Sequence, residues 1–254
     1  MKPEIDQKQR SLLLDIHRRL LRAYGPQGWW PGESAFEVIV GAILTQAASW
    51  KNVEKALASL KGAGVFSPEG LRRVSLEELA TLVRSVGYFN SKARKLKSFM
   101  EHLGRRYRDD LGLMFTRDPS ELRQELLSIY GIGEETADAI LLYAGQLPFF
   151  VVDAYTRRIF ARLGCVPQEH QYKHWQHLFL ANLPTDISLF NEYHALLVCH
   201  GKERCRRDPL CHGCTVAELC ATGKTKLWPT RLQGLATGEA GVGLMPVADV
   251  GLFQ

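Results

Sequence analysis

Four cysteines in the last quarter of the chain have the close spacing of metal or cluster ligands. They form a Cys-x5-Cys-x2-Cys-x5-Cys pattern, whose members are Cys205, Cys211, Cys214 and Cys220. Four thiolates so close together can surround a tetrahedral zinc ion or a [4Fe–4S] cluster, and the spacing alone does not choose between them. A disulfide framework is less expected in a chain of this kind. We expect the two other cysteines, Cys165 and Cys199, to be small buried side chains.

A second candidate site is a glycine-containing turn between two predicted helices. Gly131 and Gly133 permit a tight reversal and a close approach of another molecule to the backbone. The helix that begins near Glu134 presents free N–H groups and the positive end of its dipole, where a phosphate oxygen can bind. An ordinary helix–helix turn is the alternative, but the apolar residues on both sides favour a helix-hairpin-helix.

An aspartate follows this hairpin at a suggestive distance. Asp153 lies twenty residues beyond Gly133, after Val151 and Val152 and at the start of another predicted helix. An aspartate in such a position is most often an N-cap. Its spacing from the hairpin is one of the features on which the family resemblance described below depends.

Helices must position these residues, because apolar residues recur with the helical period along most of the chain. Leu13, Ile16 and Leu20 belong to one apolar stripe, and Ile39 and Ile43 to another that Ser34 would cap. We find no alternating strand pattern and no solenoid repeat, so we predict an all-α fold. The later predicted helices are 51–60, 76–83, 91–107, 120–128, 134–144, 154–163, 172–181 and 188–199.

The composition limits the class of protein further. The chain has 254 residues, of which 46% are hydrophobic and 23% charged, as in an ordinary soluble globular protein of one or two domains. We see neither a membrane span nor a signal peptide. The formal net charge of +5 mildly favours an anionic partner. The glycine-rich segment 231–254 is predicted to be a flexible tail.

Taken together, these features resemble the helix-hairpin-helix DNA glycosylases of the endonuclease III superfamily. The likeness covers about residues 10–222 and depends on the order of the hairpin segment, Val152-Asp153 and the four cysteines. It implies a two-lobed helical domain over residues 1–230, with DNA bound across the cleft. The central lobe would be about 34–132, the second lobe about 5–24 with 133–204, and the cluster loop 205–220.

The resemblance also implies a role for each candidate residue. Gly131, Gly133 and Thr136 would bind the DNA backbone, and Asp153 would act on the flipped nucleotide. Gln46, in the segment Leu-Thr-Gln, would fill the gap left by the flipped base, and Tyr88 would be the wedge inserted into the base stack. The structural alternatives are a polar residue at a helix end for Gln46 and a half-buried core aromatic for Tyr88.

The base itself is suggested by three further residues. Trp30, Pro31 and Trp50 are similar to the positions that sandwich the base in bacterial 3-methyladenine DNA glycosylases. Aromatic faces attract an alkylated purine, which carries a formal positive charge. Alternatively, the tryptophans are packing residues. The basic positions after Tyr88 would contact phosphate or be solvated; they are Lys92, Arg94, Lys95 and Lys97.

One departure from the family pattern bears on the chemistry. Bifunctional members carry a lysine two residues after the second hairpin glycine, where this chain has Glu135. A carboxylate cannot form an imine with the sugar, so the resemblance points to a monofunctional glycosylase that uses water. The alternatives are removal of oxidised pyrimidines or mispaired bases, a non-catalytic DNA-damage binder, and a zinc-ribbon DNA-binding module.

The resemblance further implies a cofactor, a partner and a location. It favours a [4Fe–4S] cluster on the four cysteines, although the first gap is five residues instead of the usual six and the 3-methyladenine branch often lacks the cluster. It leaves room for a monovalent cation at the hairpin. We expect a monomer that binds double-stranded DNA with a damaged base, away from membranes, in the cytoplasm and associated with the nucleoid.

Overall fold

The computed structural model describes residues 6–227, in which every regular element is a helix. This confirms the predicted all-α fold. The thirteen α-helices of the described residues are α1 (Gln7–Tyr24), α2 (Ala35–Thr45), α3 (Trp50–Gly62), α4 (Pro68–Arg73), α5 (Leu76–Leu82), α6 (Phe89–Tyr107), α7 (Leu111–Phe115), α8 (Pro119–Leu127), α9 (Glu134–Ala139), α10 (Ala154–Leu163), α11 (Tyr172–Leu180), α12 (Ile187–Glu203) and α13 (Ala221–Leu227). The predicted tail 231–254 lies outside the described residues.

Side-chain caps mark where many of these helices begin. Ser34 accepts a hydrogen bond from the Glu37 N–H at 3.2 Å, as expected for the N-cap that precedes α2. The short helices α4 and α7, which the hydrophobic period did not reveal, begin in the same way at Ser67 and Asp110. They contain only six and five residues, too few to show a periodic pattern.

The chain forms two compact units. Of the described residues, the central unit comprises 28–151 and 185–191, and the terminal unit comprises 6–27, 152–184 and 192–227. The first boundary between these units follows Val151, whereas the resemblance implies that the central lobe ends near residue 132. The physical reason is that α9 and the π-helical segment Ile140–Ala144 that continues it pack against α2.

The core of the central unit surrounds α2. Residues 37–44 of this helix are all buried, and α3, α6 and α9 pack around them. A helix that is apolar on every side is stable only when it is covered on every side. α2 is therefore enclosed in the core of the central unit, and its C-terminal end leads directly to Gln46.

The core of the terminal unit joins α1 to the last long helices. Leu13, Ile16 and Leu20 of α1 are fully buried, as the apolar stripe predicted. The Tyr193 hydroxyl of α12 donates a hydrogen bond to the Leu13 carbonyl at 2.8 Å. In the same core, the Phe179 ring of α11 lies 6.1 Å from that of Tyr193. Among the described residues, none of the helices has the length and apolar character needed to cross a bilayer.

Candidate active site

Asp153 is both the N-cap of α10 and a buried carboxylate. Its Oδ1 accepts hydrogen bonds from the Thr156 N–H at 2.7 Å and from the Thr156 hydroxyl at 2.8 Å. The residue is 9% exposed, and Thr156 is fully buried. The capping interpretation is thus correct, and because capping engages Oδ1, the second carboxylate oxygen is left for another contact.

That second oxygen faces a histidine from another helix. Nε2 of His194, on α12, lies 3.7 Å from Oδ2 of Asp153. Burial raises the pKa of Asp153, but the contact with His194 and the two bonds from Thr156 outweigh burial and hold the pKa below its ordinary value. Asp153 is therefore a carboxylate at neutral pH and suits the stabilisation of a nearby positive charge.

The hairpin has the backbone geometry that the glycines predicted. α8 ends at Leu127, the chain reverses at Gly131 with a φ of +82°, and α9 begins after Gly133. A Cβ atom at Gly131 would lie 2.2 Å from Cγ of Lys95, so only glycine fits there. Nothing lies within 4 Å of the position that a Cβ would take at Gly133, and no side chain caps α9. The first N–H groups of α9 are thus arranged as a phosphate site requires.

A buried ion pair holds the two helices of the hairpin together. The Arg123 guanidinium of α8 contacts Asp138 of α9 through Nε–Oδ1 at 2.6 Å and Nη2–Oδ2 at 3.1 Å. Asp138 is fully buried. This two-point contact fixes the angle at which α9 leaves the turn.

The predicted gap-filling glutamine is bonded to this hairpin. Gln46 Nε2 donates to the Gly131 carbonyl at 3.0 Å and to the Thr136 hydroxyl at 2.9 Å, and Lys95 Nζ donates to Gln46 Oε1. Thr136 is 7% exposed, so its hydroxyl faces Gln46 within the protein. The structure therefore brings Gln46, Thr136 and Gly131 together in the central unit.

Lys92 corrects one sequence expectation. It is not on a solvated, phosphate-facing surface but 2% exposed, and Nζ donates to the carbonyls of Ile43 at 3.3 Å, Leu44 at 2.9 Å and Gln46. It thereby caps the C-terminal end of α2, where a cation is favoured. Burial, together with the nearby Lys95 ammonium, lowers the pKa of Lys92 to about 7.

The predicted wedge, Tyr88, projects into solvent. It is 76% exposed, so it is not a half-buried core aromatic. The residue precedes α6 with a φ of +42°, and Gly87 before it has a φ of +65°. Both residues have a left-handed backbone conformation, so the Tyr88 side chain lies on a tight loop. Tyr130, at the hairpin, is a second exposed aromatic at 58%, which the sequence analysis did not single out.

The tryptophans of the central unit form one aromatic cluster. The Trp30 ring meets that of Trp50 at 5.4 Å and 84° and that of Tyr143 at 5.2 Å and 60°. Gly41 makes this packing possible, because a Cβ there would lie 3.2 Å from Trp30 Nε1. The edge-to-face contact differs from the two parallel faces expected of a base sandwich. The sequence analysis did not single out Tyr143, because its position beside Trp30 depends on how its helical segment packs.

Pro31 and Trp50 also line an open cavity, which contains three carboxylates and one ammonium group. Its charged residues are Glu33, Glu37, Glu54 and Lys61. Trp50 Nε1 donates to Glu54 Oε1 at 3.0 Å, which fixes the orientation of the indole. The cavity is therefore lined by one indole and by three carboxylates, of which Glu33 and Glu37 are ion-paired with Lys61.

The four cysteines of the predicted cluster loop line a single cavity in the terminal unit. All of them are free thiols, and their positions are Cys205, Cys211, Cys214 and Cys220. Burial raises the pKa of Cys214 and of Cys220. Among residues 6–227, no three His, Cys, Asp or Glu side chains surround a point that could hold one metal ion. Cys165 and Cys199 are half-buried, not fully buried as expected.

Polar groups surround this cysteine cavity. Arg162 Nη1 lies 3.3 Å from the Cys205 sulfur, and its Nη2 donates to the Arg207 carbonyl at 2.7 Å. His200 Nδ1 is hydrogen-bonded to the Tyr24 hydroxyl at 2.8 Å, while Nε2 lies 3.8 Å from the Cys214 sulfur. The cavity is therefore bordered by a guanidinium group at Cys205 and by an imidazole at Cys214.

Comparisons with known proteins identify the family to which this chain is similar. Residues 40–185 match the family described as "HhH-GPD superfamily base excision DNA repair protein". The chain is 44% identical to a putative DNA repair glycosylase of Methanocaldococcus jannaschii over 83% of its length and 96% of the relative. It is 31% identical to endonuclease III of Sulfolobus acidocaldarius over 74% of its length and 82% of the relative.

Solved structures with the same fold include two informative ones. The 3-methyladenine DNA glycosylase of H. pylori, bound to 1,N6-ethenoadenine, superposes with a TM-score of 0.67 at 26% identity, covering 77% of this chain and 97% of that one. A trapped endonuclease III–DNA covalent intermediate gives a TM-score of 0.74 at 20% identity, covering 86% and 98%. The second likeness concerns the fold alone.

Proposed function

As a member of the HhH-GPD superfamily of base excision DNA repair proteins, the chain is a DNA glycosylase, and we propose that it is a monofunctional one. It would flip a damaged purine out of duplex DNA, hydrolyse the N-glycosidic bond and leave the strand intact. The observation that carries this proposal is the state of Asp153: a buried, ionised carboxylate at the start of α10, with one oxygen held by Thr156.

The role of Asp153 follows from where charge develops. As the bond between the sugar and the base breaks, its electron pair leaves with the base and positive charge grows on the deoxyribose. An ionised carboxylate beside the sugar stabilises that charge without forming a covalent bond. A water molecule then adds to the anomeric carbon and loses a proton, which yields an abasic site.

Two positions, Glu135 and Lys92, support a mechanism without an imine. The position of the family's nucleophilic lysine holds Glu135, an exposed residue in the first turn of α9. Lys92, although its pKa is lowered to about 7, is buried with Nζ bonded to three carbonyls. Glu135 has no amine, and the amine of Lys92 is not accessible.

We propose an alkylated purine as the substrate. The solved relative with 26% identity is a 3-methyladenine DNA glycosylase. In the present chain, the cavity beside Pro31 and Trp50 carries an excess of carboxylates. Such a lining favours a cationic base over a neutral one by direct attraction, and the indole adds a cation–π contribution of about 0.5–2 kcal/mol. To sandwich a base, Trp30 and Trp50 would have to open from their edge-to-face contact.

DNA binding would use the exposed features of the central unit. The N–H groups at the start of α9 would bind a phosphate, and Tyr88 would enter the base stack. Gln46 would exchange its hydrogen bonds to the hairpin for bonds to the unpaired base. We also propose that the protein acts as a monomer.

We further propose that the four cysteines hold a [4Fe–4S] cluster. Four thiols that line one cavity can hold such a cluster, and the resemblance to the endonuclease III superfamily favours it over a single zinc ion. Arg162 would supply positive charge beside Cys205. When bound, the cluster would cross-link the four cysteines and so fix the loop between α12 and α13.

The test of the function is a pair of reactions on methylated duplex DNA. Under single-turnover conditions, wild type should release methylated purines, whereas Asp153→Asn should lose at least about 100-fold in rate while binding abasic DNA as before. Borohydride should trap no covalent adduct with wild type. Full activity of Asp153→Asn, or an efficient borohydride adduct, contradicts the proposal.

A second candidate function is removal of oxidised pyrimidines or mispaired bases. The 31% identity to a protein named endonuclease III favours keeping it in the test. A panel of duplexes, each with one lesion, separates the two candidates by rate. Tight binding to every lesion without base release would instead identify a non-catalytic damage binder.

A further inference from the structure

The Asp153 carboxylate has more support than an N-cap requires. Capping engages one oxygen, Oδ1, through the backbone N–H and the hydroxyl of Thr156. A serine or threonine, with a single oxygen, would cap α10 as well. The oxygen left to act on the substrate is Oδ2, and the residue that lies against it comes from α12.

We infer that His194 is a positioning residue for the glycosylase reaction. Its imidazole holds Oδ2 of Asp153 in place and keeps that oxygen charged, while Thr156 holds Oδ1. This inference rests on the proposed function, because it assumes that Asp153 is the group that acts on the sugar.

The geometry of the pair supports this role. Nε2 of His194 lies 3.7 Å from Oδ2, and the two side chains are only 6% and 12% exposed. The separation is longer than a direct hydrogen bond, but contacts in a catalytic site often tighten only when substrate is bound. Since little water reaches the pair, the electrostatic interaction between the two groups is stronger than at a surface.

Other charged groups near Asp153 are directed elsewhere. On α10, Arg157 Nη1 donates to the His170 carbonyl at 3.3 Å, and Arg158 donates to the carbonyls of Cys205 and Gly201. From α11, the Tyr172 hydroxyl accepts a bond from the Val152 N–H at 3.2 Å. Among the described residues, His194 is therefore the basic side chain within ion-pair distance of the carboxylate.

The experiment compares His194→Met, His194→Gln and His174→Met. Methionine keeps the volume of histidine without an N–H group, and glutamine keeps an N–H donor without charge. His174→Met is the matched control, because this half-buried histidine of α11 pairs with Glu169 at 3.5 Å. The probe is dimethyl sulfate-methylated duplex DNA, and the readout is the single-turnover rate of base release between about pH 4.5 and pH 8.

We expect the His194 variants to lose activity at a higher pH than wild type on the acid side of the pH–rate profile. A lowered pKa means that Asp153 is still ionised at the acid end of this range, so wild type should keep its rate. In His194→Met the carboxylate loses a favourable partner and remains buried, so its pKa should rise above the ordinary value and the fall in rate at low pH should enter the measured range. His194→Gln should show a smaller shift in the same direction, and His174→Met none.

Three results separate the possibilities. Profiles of both His194 variants that coincide with wild type, with circular dichroism showing them folded, overturn the inference and leave the proposed function standing. An active Asp153→Asn overturns the proposed function instead. If His194→Met does not fold, His194→Gln decides alone: a shifted acid limb supports the role of His194, and an unmoved one rejects it.

Discussion

The buried ion pair in the hairpin makes a quantitative prediction about stability. Arg123→Met should destabilise the central unit because it leaves the Asp138 carboxylate without its two-point partner, at 2.6 and 3.1 Å, in a fully buried position. Breaking one side of a buried pair costs about 3–5 kcal/mol. Arg123 is 15% exposed, so some water can reach the carboxylate after the change, and we expect about 3 kcal/mol.

Urea unfolding measures this loss directly. With a slope of about 2 kcal/mol per molar urea, a loss of about 3 kcal/mol lowers the midpoint by about 1.5 M at unchanged slope. Arg117→Met is the matched control, because Arg117 forms an exposed ion pair with Glu121, four residues later in the sequence. It should cost no more than about 0.5 kcal/mol.

Two further outcomes bear on the same reasoning. The double variant Arg123→Met/Asp138→Leu should recover much of the lost stability, since replacing both members of a buried pair by apolar residues is often nearly neutral. The stabilising role of the Arg123–Asp138 ion pair is refuted if Arg123→Met lowers the urea midpoint no further than Arg117→Met does.

The remaining predictions concern the chemistry and the cofactor. Glu135→Lys places an amine at the first turn of α9, where the side chain is exposed, and should create a borohydride-trappable adduct that wild type lacks; its absence would show that this position does not face the sugar. Tyr88→Ala should slow base release from duplex DNA more than from single-stranded DNA, because the wedge acts on stacked bases, and equal slowing of both contradicts the wedge role. The purified protein should be brown and contain about four iron atoms, and Cys214→Ser should lose iron and stability together; a colourless wild type with one zinc ion would refute the cluster.

Several features of the molecule could be predicted from local sequence because local forces decide them. The long helices follow from the period of the apolar residues, and the first turn of α10 follows from an aspartate three residues before Thr156. Gly131 predicts the reversal, because its left-handed φ of +82° favours glycine. The four cysteines predict a common site, since their short spacing keeps them together in any fold.

The tertiary structure alone decided the contacts between residues that lie far apart in the chain. Nothing near Lys92 in the sequence shows that its ammonium is buried under the end of α2, and nothing near Gln46 shows that its amide is bonded to the hairpin. The same is true of His194, which meets Asp153 only because α10 and the part of α12 from Glu192 onward belong to the same unit. Backbone preference and capping act within a few residues and so are legible in the sequence, whereas the partner of a buried polar group depends on how whole helices pack.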